Sequence, residues 1–240
     1  MITNDDGIGA DGLLRLARAA ADYGEVTVVA PAGQCSAMSH RITLLQPLDV
    51  WKTAFDVEGV RAYRLEGTPA DCVRVALLNI MKEKPDVVFS GINFGYNCGS
   101  DIKYSGTVAA ALEAASFGIP AIAFSEGADG VHEITDDYLH RMIAEHIDRR
   151  LPRNQIWNIN FPQCKREEFK GILRNRAIAG NAFYRDHYRE ERISDGHFRY
   201  HLDGEYHTEA EEGTDFRASV ENYISVGIVK NIDCGLEEDR

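Results

Sequence analysis

The stretch PDVVFSGINFGYNCGSDIKYSGTVAAALEAASFGIPAIAFS, Pro85–Ser125, decides the fold. It opens on a short apolar run, PDVVFSG, which ends in glycine and reads as a buried strand. A loop dense in Gly, Asn, Asp and Ser follows. SGTVAAALEAAS then reads as a helix of small residues that breaks at Gly118 and Pro120, and Ala121 to Phe124 reads as the next strand. Strand, loop, helix and strand in this order make one right-handed crossover of a parallel sheet.

The same alternation continues on both sides. Upstream, DGLLRLARAAADYG places Leu13, Leu14, Leu16, Ala17, Ala20 and Ala21 at helical spacing with Gly24 as a stop, and EVTVVAP reads as a buried strand ended by Pro31. Thr68 opens another helix, with Pro69 at its first position and Asp71 three residues after the cap, and Val73 to Met81 carries its apolar face. Downstream, ITDDYLHRMIAEHIDRRL is an amphipathic helix with Thr135 as its expected cap, and QIWNINFP is again a strand. The expected fold is α/β: a Rossmann-like, three-layer, mostly parallel sheet with helices on both faces.

Two segments depart from the pattern. Residues 41–65 contain no clear helix, and RAYRL suggests a hairpin insertion. From about residue 165 the chain is polar, aromatic and strand-like, as in NAFYRDHYREERISDGHFRYHLDGEYH, and shows no hydrophobic helix. It cannot bury much by itself, so an extended β-hairpin arm packing against another subunit is expected, followed by a terminal strand. Residues 1–164 form the expected core and 165–240 the arm and terminal strand, as parts of one domain.

Composition narrows the function. The formal net charge of -12 argues against a general nucleic-acid or anionic-membrane binder, although a bound cation would reverse the field locally. The five cysteines show no CxxC spacing, so reduced thiols in a cytoplasmic protein are expected rather than a disulfide framework or structural zinc. No apolar run reaches membrane-spanning length. There is no GxSxG elbow, no GxGxxG and no Walker lysine.

In an open parallel sheet, ligands bind beyond the carboxyl ends of the strands. Three loops leave those ends: TNDDGIGADG from Thr3, APAGQCSAMSH from Ala30, and SGINFGYNCGSDIKYSGT from Ser90. Asp5 and Asp6 are hard oxygen donors of the kind that magnesium and manganese prefer, and Ser36, Ser39, Asn93 and Asn97 offer neutral oxygens. Ser105, Gly106 and Thr107 begin a helix, where free N–H groups suit an anion. Singly, each has a plainer reading: Asp-Asp-Gly as a solvated turn, Ser-Gly-Thr as a helix cap. Their convergence on one edge describes a phosphate-ester site with a divalent cation. Phe94 and Tyr96 are aromatic side chains able to line it or to plug the local core.

At these loops the sequence resembles the SurE family of metal-dependent survival-protein nucleotidases. The resemblance rests on TNDDGI, on EVTVVAP with CSAMSH, on LEGTPADCVRVAL, on SGINFGYNCGSDIKYSGTVAAALEAASFGIPAIAFS and on EEGTDFRASVENYISV, in that order along the chain. It implies one divalent cation per subunit, Mg2+ or Mn2+, held by Asp5, Asp6, Ser36 and Asn93. It implies hydrolysis of nucleoside 5′- and 3′-monophosphates, with release of phosphate from polyphosphate, and a homodimer or tetramer built through the C-terminal arm. Asp5, Asp6 and Asn93 would then be catalytic, and Asn97, Ser105, Gly106 and Thr107 would hold the phosphoryl oxygens.

The chain departs from the family at three places. Only Met1 and Ile2 precede Thr3 where an apolar run is usual, Ser36-Ala37 replaces Ser-Gly, and Val226-Gly227-Ile228 replaces Thr-Pro-Leu. Ala resists the positive φ that Gly accepts.

Two other classes compete. A magnesium-binding receiver module also carries paired acids after its first strand, but needs an Asp and a Lys at later strand ends. Here those ends read as Ala30-Pro31, Ser90-Gly91 and Phe124-Ser125, with no carboxylate or Lys. A non-catalytic metal- or phosphate-binding protein is the third reading, separated by a turnover assay.

Overall fold

The computed structural model describes residues 1–231. Nine strands form one sheet: β1 (Ile2–Thr3), β2 (Thr27–Pro31), β3 (Val50–Thr53), β4 (Arg61–Leu65), β5 (Val88–Phe94), β6 (Ala121–Glu126), β7 (Gln155–Phe161), β8 (Gly171–Arg176) and β11 (Tyr223–Lys230). Their order is β3-β4-β2-β1-β5-β6-β7-β11-β8. The run from β4 to β7 is parallel, β3 pairs antiparallel with β4, and β11 pairs antiparallel with β7. This is the mostly parallel α/β sheet expected from the alternation.

The strands are apolar on both sides because both faces are covered. Val28, Ala30, Ile122 and Phe124 face a cluster with Leu13 and Leu16 of α1 (Asp11–Ala21) and Leu139 and Met142 of α4 (Glu133–His146). Their neighbours Val29, Ala121 and Ala123 face the opposite cluster, with Cys72 and Val73 of α2 (Pro69–Val75) and the alanines of α3 (Gly106–Ser116). The period of two along each strand thus builds three layers.

Local signals set most boundaries. Thr68 caps α2 through a reciprocal capping box with Asp71, and Ser105 caps α3 by accepting from Val108 N at 3.0 Å. The expected long helix to Met81 is α-helical only to Val75 and finishes as a wider π turn, Ala76–Ile80. Thr135 is not the cap of α4. That helix begins two residues earlier, after His132, and Thr135 lies buried in its first turn with its hydroxyl unpartnered. Strands β5 and β6 run further than their apolar cores suggest, so β6 ends on the carboxylate of Glu126. The reading of that strand end as free of carboxylates is corrected.

The segment 41–65 is a hairpin whose two strands both lie in the main sheet: β4 pairs parallel with β2, and β3 pairs antiparallel with β4 as the edge strand. Beyond residue 164, β9 (Tyr184–Ser194) and β10 (His197–Tyr206) form a separate, largely exposed two-stranded hairpin. The polar tail also contains a short helix, α5 (Asp215–Val220), with Phe216 fully buried, which its sequence does not announce. Cys234 and the rest of 232–240 lie outside the described residues.

Candidate active site

β1 is only two residues long, yet it is paired on both sides and lies at the centre of the sheet. Asp5 and Asp6 follow it directly, so the chain delivers them to the carboxyl edge with almost no freedom. Asp5 is 3% exposed. Its Oδ1 accepts from the Thr107 hydroxyl at the start of α3, and its carbonyl accepts from Cys35 N at 2.7 Å. Asp6 Oδ2 accepts from Phe94 N at 3.0 Å. The first, second and third loops are therefore tied together through the two aspartates.

The helix start fits closely against them. A Cβ on Gly106 would lie 2.8 Å from Asp5 Cβ, so only glycine lets α3 approach this near. Asn93 donates its amide to Gly95 O at 2.8 Å, which fixes Oδ1 as its remaining acceptor. Ser36 is exposed and adjoins Cys35, whose N–H anchors the loop to Asp5. Ser39 fastens the same loop to the next one, through Ser39 N to Tyr104 O at 2.9 Å and its hydroxyl to Lys103 O at 2.7 Å. Ala37 takes φ 57 despite its Cβ, and Ser39 takes φ 55, so this loop carries backbone strain at its tip.

The eight residues expected from sequence do not all share one neighbourhood. Asp5, Asp6, Gly106 and Thr107 are in direct contact or one bond apart, and the loops of Ser36, Asn93 and Ser105 are bound to them. Asn97 is engaged elsewhere. Its amide donates to Ser125 Oγ at 2.8 Å and its N–H to Asn160 Oδ1 at 2.8 Å, while its carbonyl accepts from Asn158 and Asn160. It belongs to a buried polar row behind the aspartates, and its side chain is committed to holding the loop.

Burial pushes the Asp5 carboxyl up to about 6, aided by the charge of Asp6 and opposed by the Thr107 bond. Burial also raises Asp6, with the charge of Glu126 adding to the effect. Glu126 itself is compensated: Arg15 of α1 grips it at 2.7 and 3.2 Å, and His132 lies 3.0 Å away. This cluster joins residues over a hundred positions apart, and no local motif marks it.

Among the described residues, no Lys, Arg or His forms an ion pair with Asp5 or Asp6. Two desolvated, adjacent carboxylates without a counter-charge are what a divalent cation would neutralise. Nor do three or more His, Cys, Asp or Glu side chains group around one point among those residues. Two carboxylates supplemented by Ser and Asn oxygens form a hard-donor set that fits magnesium or manganese and not zinc.

The family described as Survival protein SurE matches residues 1–182. A protein named 5′-nucleotidase SurE from Thermoanaerobacter sp. (strain X514) is 41% identical over 230 residues, covering 94% of this chain and 89% of the relative. One of the same name from Clostridium botulinum (strain ATCC 19397 / Type A) is 38% identical over 230 residues, covering 94% and 90%. In structure, the chain superposes on the SurE protein from Aquifex aeolicus with a TM-score of 0.81 and 34% identity, over 98% of this chain and 94% of that one. Match, identity and architecture agree with the paired aspartates at the sheet edge, and the chain belongs to the SurE family.

Proposed function

We propose that this protein is a divalent-metal-dependent 5′-nucleotidase that hydrolyses nucleoside monophosphates to nucleoside and phosphate. The observation that carries the reading is the Asp5–Asp6 pair: Asp5 buried and Asp6 half-buried, without a cationic partner among the described residues, and set against the first turn of α3. Family membership and the names of the relatives support it.

Asp5, Asp6, Ser36 and Asn93 would hold Mg2+ or Mn2+, which when bound polarises a phosphoryl oxygen and acidifies water. The chain's own residues do the positioning. Thr107 fixes the rotamer of Asp5 through its hydroxyl, and the Phe94 N–H fixes Asp6 Oδ2, leaving Asp6 Oδ1 to orient the attacking water. The Gly106 N–H opens α3, where Ser105 caps Val108 N and the Thr107 N–H is spent on Asp5, and it would meet the charge that builds on phosphoryl oxygens. Water oxygen bonds to phosphorus and gives up a proton to solvent as the P–O ester bond breaks, and the released nucleoside oxygen takes a proton from solvent. Asn97 contributes by holding the loop that carries Asn93 and Ser105.

The same small, charge-directed site suits 3′-monophosphates and terminal phosphate of polyphosphate. We place the protein in the cytoplasm as a single domain, acting as a dimer or tetramer through the β9–β10 arm, whose Tyr188, Tyr200 and Leu202 are exposed. The free, buried thiols of Cys35, Cys72, Cys98 and Cys164 support a reducing compartment. Among the described residues no helix is long and apolar enough to cross a membrane. A phosphate-release screen over 5′- and 3′-nucleotides, ribose 5-phosphate and polyphosphate, with Mg2+, Mn2+ and chelator, tests the proposal. Metal-restored release from 5′-nucleotides is the expected result; release from none of these esters with either metal would sink it. Stable labelling by acetyl phosphate without turnover would instead favour the receiver-module reading.

A further inference from the structure

The structure separates two aromatic side chains that the glycine loop presents as equals. Tyr96 belongs to the core: its ring meets Phe183 edge-on at 5.7 Å, its hydroxyl accepts from Gln163 N at 2.8 Å, and burial pushes its phenol well up. Phe94, two residues earlier, is 53% exposed and has no ring or cation contact among the described residues. Its backbone, by contrast, is held tightly. The N–H is bound to Asp6 Oδ2 and the residue pairs with Glu126 across β5 and β6. A third aromatic, Tyr104, precedes Ser105 and is 52% exposed, but the Lys103 ammonium already covers its ring at 5.0 Å.

A half-exposed phenyl ring on a fixed backbone presents a π-face that a ligand can meet at little conformational cost. Here it stands next to Asn93 and one hydrogen bond from Asp6. We infer that Phe94 is the base platform of the active site: its ring stacks on the nucleobase of a nucleoside monophosphate whose phosphate lies at Asp5, Asp6 and the start of α3. The inference rests on the phosphomonoesterase reading above and adds a specificity-determining residue to it. Stacking needs only a π-face, so Phe94 favours nucleotides over base-free sugar phosphates without selecting strongly among bases. The ring lies away from the phosphorus, so its contribution is uniform binding, read in KM and not in kcat.

The test compares AMP with ribose 5-phosphate, which lacks the base, for wild type, Phe94→Ala and Phe94→Trp. The Asp6 bond comes from the backbone N–H and survives both substitutions, and an exposed position tolerates both. Phe94→Ala should raise KM for AMP about tenfold, keep kcat within about twofold and leave ribose 5-phosphate kinetics unchanged, while Phe94→Trp keeps the preference for AMP. An unchanged KM for AMP in Phe94→Ala, with wild type turning over both esters, overturns the platform alone. Equal losses on both esters overturn it too, because the side chain would then be supporting the site and not the base. Wild type that hydrolyses neither ester with Mg2+ or Mn2+ removes the phosphomonoesterase reading, and the platform with it.

Discussion

The two edges of the sheet carry charge in opposite ways. At the amino edge, a cavity of about 430 Å³ is lined by Phe117, Trp157 and three arginines, Arg149, Arg150 and Arg153. Most of its polar groups are engaged in holding the chain together. Arg153 donates to Ser116 O at the end of α3, Arg150 to Asp86 O, and buried His146 bonds its own helix at Met142 O. At the carboxyl edge the charge is unbalanced: Asp5 and Asp6 are desolvated side by side with no cation paired to them among the described residues. Concavity alone does not mark a site. Charge that the fold buries without balancing it does.

The contrast breaks first at Asp5. Asp5→Ala should lower phosphate release by on the order of 10²–10³-fold while circular dichroism and the unfolding midpoint of the metal-free protein hold. An activity loss matched by unfolding would make Asp5 a structural residue instead. Asp71 is a balanced carboxylate for comparison: it accepts from Thr68 N and from both the N–H and hydroxyl of Thr43. Asp71→Ala should cost about 2 kcal/mol in denaturant unfolding. Although burial alone would raise its pKa, the Thr43 and Thr68 bonds hold Asp71 below the usual carboxylate range. Its contribution is thus present in full above about pH 4 and is lost as pH falls through the depressed folded value. The acid limb of the stability curve should therefore flatten in the Ala variant.

Smaller effects sharpen the same contrast. Ala37→Gly relieves a positive φ beside Ser36 and should stabilise the protein by about 1 kcal/mol, seen as a raised melting temperature. At the amino edge, Arg153→Ala should change stability by no more than about 0.5 kcal/mol and leave kcat and KM unaltered. A marked loss of turnover there would mean that this amino-edge cavity is functional after all.

Legibility followed the range of the interaction. Thr68, Pro69 and Asp71 announce α2 because a capping box is written within four consecutive residues, and Ser105 announces α3 as a simple cap that accepts from Val108 N. Thr135 misleads because it has a cap's chemistry at a position that tertiary packing placed inside the turn. The paired aspartates were visible through their place after a strand. The Arg15–Glu126–His132 cluster was not, since it joins α1 to the end of β6 and the start of α4 across the sheet edge. Asn97 reads like Asn93 in sequence, and only the buried partners Ser125, Asn158 and Asn160 reveal that its side chain is already occupied. Phe94 and Tyr96 likewise differ in surroundings rather than in type.

The central claim is that the carboxylates ending β1 hold one divalent cation for phosphate-ester hydrolysis. It is tested most directly by titrating Mn2+ into wild type and Asp6→Asn while following phosphate release from a nucleoside 5′-monophosphate. Wild type should show saturable activation, while the Asp6→Asn protein should stay folded but need far more metal and not recover wild-type turnover. Full activity of Asp6→Asn at limiting Mn2+ would contradict the claim.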